Sequence, residues 1–331
     1  MRYIIYGVGG VGGAIGGLMH AAGFETVLIC RGAQLRAIQE HGLTVRTPEG
    51  TVQTGVPAIG HPRELHFAEG DVVVLTMKSQ DTEAALRDLD AVGGWDLPII
   101  CGQNGVDNER IAARRFERVY GMVIAMPATY LEPGSVIAWG TPAAGVLDTG
   151  RYPSGIDPLI QAVAADLTAA GFSSRAEPAI MRLKYTKLLD NLGNAVQALT
   201  DVHRSDQRAN QVMAALRDEA LACYAAAGID FMPESEYRAL VGPRMRTGEV
   251  PGAKRAGNST WQSLARGLTS IETDYLNGEI VLLGALHGVP TPCNAAVRRL
   301  AQQMAASGAR PGSCSINKLA ALAACSSAAN S

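Results

Sequence analysis

Apolar residues are spaced in two different ways along this chain. In the first part they fall in short continuous runs of the kind that form strands buried on both faces of a parallel sheet. Ile4-Ile5-Tyr6 leads into Gly7-Val8-Gly9-Gly10-Val11-Gly12, a helical pattern follows, and Thr26-Val27-Leu28-Ile29 reads as a second strand. Residues 33–40 look helical, and Leu43-Thr44-Val45, Val52 and Val56 suggest short strands around the turn Pro48-Glu49-Gly50. Asp71–Thr76 and Pro98–Cys101 read as further buried strands, with a helix over 81–90 between them. Val119–Met126, Thr129–Leu131, Val136–Trp139 and Gly145–Leu147 predict antiparallel strands that extend the sheet. A helix over 156–170 ends at Gly171, and Phe172–Arg175 reads as an edge strand.

Beyond Ala176-Glu177-Pro178 the spacing becomes helical over 179–200, 207–227, 234–241, 259–287 and 293–306. The expected architecture is therefore α/β: a Rossmann-type doubly wound sheet over residues 1–177 and an all-α domain over 178–306. A loosely ordered tail is expected over 307–331.

Gly7, Gly9 and Gly12 have the G-x-G-x-x-G spacing of a dinucleotide site, and they sit between a strand and a helix as that site requires. The first glycine permits the turn, the second lets the backbone approach a pyrophosphate, and the third lets the helix pack on the strand. Val8, Gly10 and Val11 complete the loop, and the helix N-terminus would offer N–H groups to the phosphates. An NAD site usually carries an acidic residue about twenty residues further on. Here the second strand ends in Cys30-Arg31, and a guanidinium suits a 2′-phosphate, so NADP(H) is the expected cofactor. Lys78 and Asn104 follow the two later strands, at the ends where open parallel sheets bind ligands.

With 331 residues, 47% of them hydrophobic and 18% charged, the chain can bury a large core in two domains. A net charge of −2 gives no electrostatic basis for binding nucleic acid or an anionic membrane. The six cysteines include no C-x-x-C pair, which suits free thiols in the cytoplasm, and no metal site is expected. The basic and then apolar N-terminus resembles a signal peptide in outline. Seven glycines between positions 7 and 17 weaken such a helix, whereas the motif glycines have a use in a phosphate turn. No stretch reaches the length of a membrane span.

Asn191 and Asn194 lie about 40° and about 20° to either side of Lys187, in one stripe on a straight helical wheel, with Leu188, Leu189, Leu192 and Val196 on the apolar side. That stripe suits donation to a carbonyl and the grip of a polar substrate. Ser259 with Gln262 fits a capping box, so Ser259 is the expected N-cap of the 259–287 helix, with Thr260 next to it and Glu272 further round that helix.

These pieces in this order, together with Glu272-Thr-Asp-Tyr-Leu-Asn-Gly, resemble the ketopantoate reductase (2-dehydropantoate 2-reductase) family over roughly residues 2–300. The resemblance implies a Rossmann domain, a helical domain and a cleft where NADPH reduces a 2-oxo acid, the small-molecule partner. It implies that Lys187 is the general acid and that Glu272 binds a substrate hydroxyl or the nascent alcohol. Asn104 would hold the nicotinamide and Lys187, and Asn191 with Ser259 or Thr260 would hold substrate polar groups. The chain departs from the family where a second Asn is common, at Ala195, and where a His is frequent, at Gln103. Asn194 is expected to take over part of the missing grip. Two other readings share the scaffold: a reductase of another carbonyl or imine in secondary metabolism, and an NADP-binding sensor without catalysis. The apolar helices near 276–300 are compatible with a homodimer.

Overall fold

A computed structural model describes residues 1–200, 206–255 and 257–321. The chain forms two compact units. Unit 1 comprises Met1–Gln103, Asn108–Lys184 and Met232–Arg255, and unit 2 comprises Asn104–Asp107, Tyr185–Phe231 and the described part of Ala256–Ser331.

Unit 1 is built on a seven-stranded sheet. From one edge it runs β5 (Ala58–Ile59), β2 (Glu25–Ile29), β1 (Arg2–Tyr6), β6 (Asp71–Leu75), β7 (Ile99–Cys101), β8 (Val119–Met122) and β12 (Thr149–Arg151). All pairs are parallel except β12 with β8. The chain leaves β1 through helix α1 (Gly10–Ala21) to one side and later returns to β6 on the other. This reversal makes the gap between β1 and β6 the switch point, where such sheets bind ligands. Asp71 is buried at the start of β6 because Arg2, its register partner on β1, donates to it through Nε (2.8 Å) and Nη2 (2.7 Å).

The middle runs do not all extend this sheet, as the alternation alone suggests. β3 (Leu43–Thr47), β4 (Gly50–Thr54), β9 (Ala128–Thr129) and β10 (Ser135–Ala138) form a separate four-stranded sheet, in which β10 lies parallel to β3. Helix α1 packs against both sheets. A Cβ on Gly16 would come within 2.4 Å of Leu28 in the first, and one on Gly13 within 2.7 Å of Val136 in the second. The glycine content of α1 is thus explained by packing on two faces, not by the phosphate turn alone. Gly145–Leu147 and Phe172–Arg175 contribute only isolated bridges.

Helix α2 (Gly32–His41) follows β2, α3 (Thr82–Gly93) follows β6, and α4 (Asn108–Ala112) follows β7. Helix α5 (Pro158–Ala169) has Asp157 as its cap, accepting from Ile160 N at 2.9 Å. Unit 1 also takes in residues 232–255 from beyond the sheet domain, with helix α9 (Glu234–Val241) and strand β13 (Met245–Thr247). β13 pairs antiparallel with β11 (Gly140–Pro142), a strand absent from the helical expectation for this stretch. Arg244 holds the segment in place through a buried two-pronged bond to Asp148, 2.6 Å on each arm.

Unit 2 is helical. Its elements are the end of α6 (Ile180–Asn191), then α7 (Gly193–Leu199), α8 (Gln207–Ala227), α10 (Ser259–Ala265), α11 (Asn277–His287) and α12 (Pro292–Ala306). The expected continuous helix over 179–200 is two helices joined at Leu192, and Gly193 lets the Met213 side chain approach, 3.1 Å from where a Cβ would stand. The expected helix over 259–287 is interrupted by a 3-10 turn at Glu272–Tyr275. In the expected tail, Ser313 and Cys314 bridge to Thr200 and Leu319 is fully buried, while 322–331 lie outside the described residues.

Candidate active site

The glycine turn occupies the switch point in unit 1. Gly7 has φ +101°, and a Cβ there would stand 2.3 Å from the Met77 nitrogen. At Gly12 a Cβ would stand 2.3 Å from both the Gly7 carbonyl oxygen and Thr76 Oγ1, and at Gly9 it would meet nothing within 4 Å. One glycine makes the left-handed turn, one leaves its face open, and one admits the helix. Thr76 Oγ1 fastens the turn by donating to the carbonyls of Gly7 (2.7 Å) and Tyr6 (3.2 Å). Gly9 is the N-cap of α1, no side chain caps that end, and its first turn holds no acidic residue. Val8 is buried beneath the loop, Val11 packs on the core, and Gly10 faces Ala128. A diphosphate fits this cradle, since the open face and the uncapped N–H groups coincide.

Arg31 is the residue before α2, and its side chain is 82% exposed. Its ion pair with Asp81, 3.2 Å long, is exposed on both sides and worth about 0–1 kcal/mol, too little to compete with a phosphate dianion. Lys78 is half-buried before the 3-10 turn Ser79–Asp81, so it and the partner of Arg31 share the carboxyl end of β6.

The other expected site residues belong to unit 2. Lys187 is half-buried on α6 and makes no hydrogen bond or ion pair among the described residues. Burial pushes its ammonium below the ordinary 10.5, and Asp190 pulls it back in part. One turn on, Asn191 is buried and its Oδ1 has no hydrogen-bond partner among the described residues. Asn277 Nδ2 donates to Leu192 O (3.2 Å), which ties the start of α11 to the end of α6. The Asn104-Gly105 turn closes on the same region: Gly105 has φ +79°, and its Cβ would stand 2.9 Å from the carbonyl oxygen of Tyr275. Glu272 is buried at the head of that 3-10 turn. Gln302 steadies the turn by donating to Ile271 O (3.1 Å) and Thr273 Oγ1 (3.3 Å). The fold thus brings together the end of α6, the Asn104 turn and the Glu272 turn.

Two expectations change here. The cap of α10 is Asn258, whose Oδ1 accepts from Trp261 N at 3.0 Å, so the Ser259 hydroxyl is not engaged as a cap. Asn258 also donates to Asn194 O (3.0 Å), which sets the α10 start beside α7, and Thr260 Oγ1 is buried without a partner among the described residues. Asn194 lies in α7, past the one-residue interruption at Leu192, which itself keeps helical dihedrals (φ −59°, ψ −34°). Ser259 and Glu272 stand on different elements, not on one helix.

Sequence reasoning passes over a buried polar group in unit 1. Lys184, the other lysine of α6, is only 3% exposed and pairs with the fully buried Glu109. Its Nζ also donates to the carbonyls of Gln103 (3.1 Å) and Cys101 (3.3 Å). Gln103 Nε2 donates to Thr82 Oγ1 (2.7 Å), and Thr82 Oγ1 donates to Asn108 Oδ1 (2.8 Å). Gln103 therefore has a structural use of its own. Nothing in the spacing of a lysine 75 residues from the glutamate and 81 from the glutamine announces their meeting.

A doubly wound sheet with a phosphate cradle, joined to a helical unit carrying an unbonded lysine, defines a dinucleotide-dependent oxidoreductase. Residues 3–150 match the family model described as "Ketopantoate reductase PanE/ApbA", and residues 179–305 match the one described as "Ketopantoate reductase PanE/ApbA C terminal". The chain belongs to the ketopantoate reductase family. The 2-dehydropantoate 2-reductase of Archaeoglobus fulgidus is 28% identical over 299 residues, covering 88% of this chain and 94% of that protein. The one from Halobacterium salinarum is 31% identical over 208 residues, covering 61% and 66%. Among solved structures, a PanE/ApbA family ketopantoate reductase from Ralstonia eutropha superposes with a TM-score of 0.77 at 26% identity, covering 93% of this chain and 99% of that one. D-mandelate dehydrogenase with NADH and anilino(oxo)acetate reaches a TM-score of 0.80 at 23% identity, over 93% and 99%, and shares the fold.

Proposed function

We propose that this protein reduces 2-dehydropantoate, a 2-oxo acid, to pantoate with NADPH. The observation that carries the chemistry is Lys187: half-buried, unbonded and made more acidic by burial, one turn from a buried carboxamide oxygen that lacks a partner. A buried polar group left unpaired costs about 1–3 kcal/mol, so a set of them in one unit points to a ligand that completes them. The relatives' names supply the substrate and the direction of reaction.

Gly7, Val8, Gly9, Gly10, Val11 and Gly12 would hold the diphosphate on the N-terminus of α1, with Arg31 on the 2′-phosphate and Lys78 beside it. Bound there, the nicotinamide nucleotide supplies a hydride. Lys187 gives its proton to the substrate carbonyl oxygen and neutralises the charge that develops on it. Burial helps, because a lysine of lowered basicity parts with its proton more readily. Asn191, Ser259 and Thr260 hold substrate polar groups, Glu272 accepts from a substrate hydroxyl, and Asn104 orients the nicotinamide amide and Lys187. Asn194 contributes to the grip from α7. The free lysine argues against a sensor, which has no need of a proton donor.

Five described cysteines are free and buried, in keeping with a cytoplasmic protein; Cys325 lies outside the described residues. Among the described residues no helix is long and apolar enough to cross a membrane. Leu282 and Leu286, exposed one turn apart on α11, support a homodimer, which sedimentation would reveal. The activity is tested by following NADPH absorbance against a panel of 2-oxo acids. Fastest turnover is expected with 2-dehydropantoate, and absence of oxidation with every 2-oxo acid would overturn the reading.

A further inference from the structure

We propose that Lys184 and Glu109 form a pin that positions the reacting residues on either side of it. The chain leaves unit 1 after Gln103 and again after Lys184. Those two exit points are bonded to each other within unit 1, because Lys184 Nζ donates to the carbonyl oxygen of Gln103 at 3.1 Å. A second bond, to Cys101 O at 3.3 Å, secures the end of β7, and the fully buried Glu109 neutralises the ammonium. The pin is braced in turn by the buried chain of Gln103, Thr82, Asn108 and Ser79, the last accepting from Asn108 Nδ2 at 3.1 Å.

Covalent geometry carries the effect outward. Asn104 follows Gln103 directly, and Lys187 stands three residues, not quite one helical turn, beyond Lys184. A single ammonium therefore fixes the take-off of the Asn104 turn and of the α6 segment that bears the proton donor. The sequence supplies two lysines in one helix, and the structure divides their tasks: Lys184 is saturated with bonds and cannot serve the substrate, while Lys187 has none. Replacing a buried ion pair by neutral groups of similar size often leaves a protein folded, whereas removing one partner strands a charge. The pair can therefore be tested without unfolding the chain. The inference rests on the reductase reading for its kinetic consequence but not for its structural one.

The experiment compares the full chain with Lys184→Met/Glu109→Gln, which lacks a donor to the two carbonyls, and with Lys184→Gln/Glu109→Gln, which restores a neutral donor. In the first, kcat with 2-dehydropantoate should fall about tenfold to a hundredfold, the loss expected of slight misplacement, with NADPH affinity falling far less. Amide exchange over residues 102–107 and 185–191 should quicken by about tenfold or more while the rest of the sheet keeps its protection. The second variant should recover part of both. Unchanged kcat or unchanged exchange in the first variant overturns the pin, as does no recovery in the second, or an equal loss of turnover and NADPH affinity, the mark of a general structural defect. If the unaltered protein reduces no 2-oxo acid, the reductase reading fails and the exchange measurement alone decides the pin.

Discussion

The glycine turn of unit 1 and the lysine stripe of unit 2 hold their chemistry in opposite ways. The turn works through backbone: its side chains are absent where a phosphate would lie, and what matters is that Gly7 takes φ +101° and that Gly9 faces open space. The stripe works through side chains whose value is that nothing yet satisfies them, Lys187 without a bond and Asn191 with a buried, unpartnered oxygen. A backbone site survives any substitution that keeps the turn and leaves its open face uncovered, and a side-chain site fails with one residue. The two should therefore break under different mutations and show in different measurements.

The sharpest division is expected from Lys187→Ala. Loss of a general acid should lower kcat by about 10²–10⁴-fold, with the NADPH Kd nearly unchanged. Stopped-flow turnover beside a fluorescence titration of NADPH would separate the two quantities. The converse is Arg31→Ala, which should weaken NADPH about tenfold to a hundredfold and leave NADH nearly untouched, since a charge-assisted bond is worth about 1.5–3 kcal/mol. Equal weakening of both dinucleotides would show that Arg31 does not meet the 2′-phosphate.

Within the turn, two glycines should part company. Gly12→Ala drives a methyl into the Gly7 carbonyl and Thr76, an overpacking that costs about 1–3 kcal/mol and should lower Tm. Gly9→Ala meets nothing within 4 Å and should leave Tm in place while weakening NADPH. The smallest effect concerns the cap. Asn258→Ala should cost about 1 kcal/mol in denaturant unfolding. Ser259→Ala should cost little stability and act on KM instead, because Asn258 does the capping.

How far each region could be read in advance follows from the same contrast. The turn was legible because its constraint is local: strand, glycine spacing and helix lie within one βαβ unit, and Arg31 is in register with it. The positions of Lys187, Asn191 and Glu272 were legible as motifs, but their surroundings were not. The wheel through Asn194 assumed one uninterrupted helix, whereas α6 ends at Asn191 and α7 starts at Gly193, where Met213 comes close. The capping box at Ser259 was a plausible local pattern displaced by one residue, since Asn258 caps equally well and also binds Asn194 O. The separate four-stranded sheet was hidden because alternation reports a half-buried strand, not which sheet it joins. The Lys184–Glu109 pair joins residues far apart in sequence, beyond the reach of any local rule.

The central claim, that Lys187 supplies the proton, is tested most directly by the pH dependence of kcat. The donor must enter the reaction as an ammonium, so activity should fall as pH rises through its pKa. Because burial lowers that pKa, the fall should be centred below the ordinary lysine value of 10.5. The residual activity of Lys187→Ala should lack this alkaline limb. A limb that persists with the same midpoint in Lys187→Ala would assign the proton to another group and contradict the account.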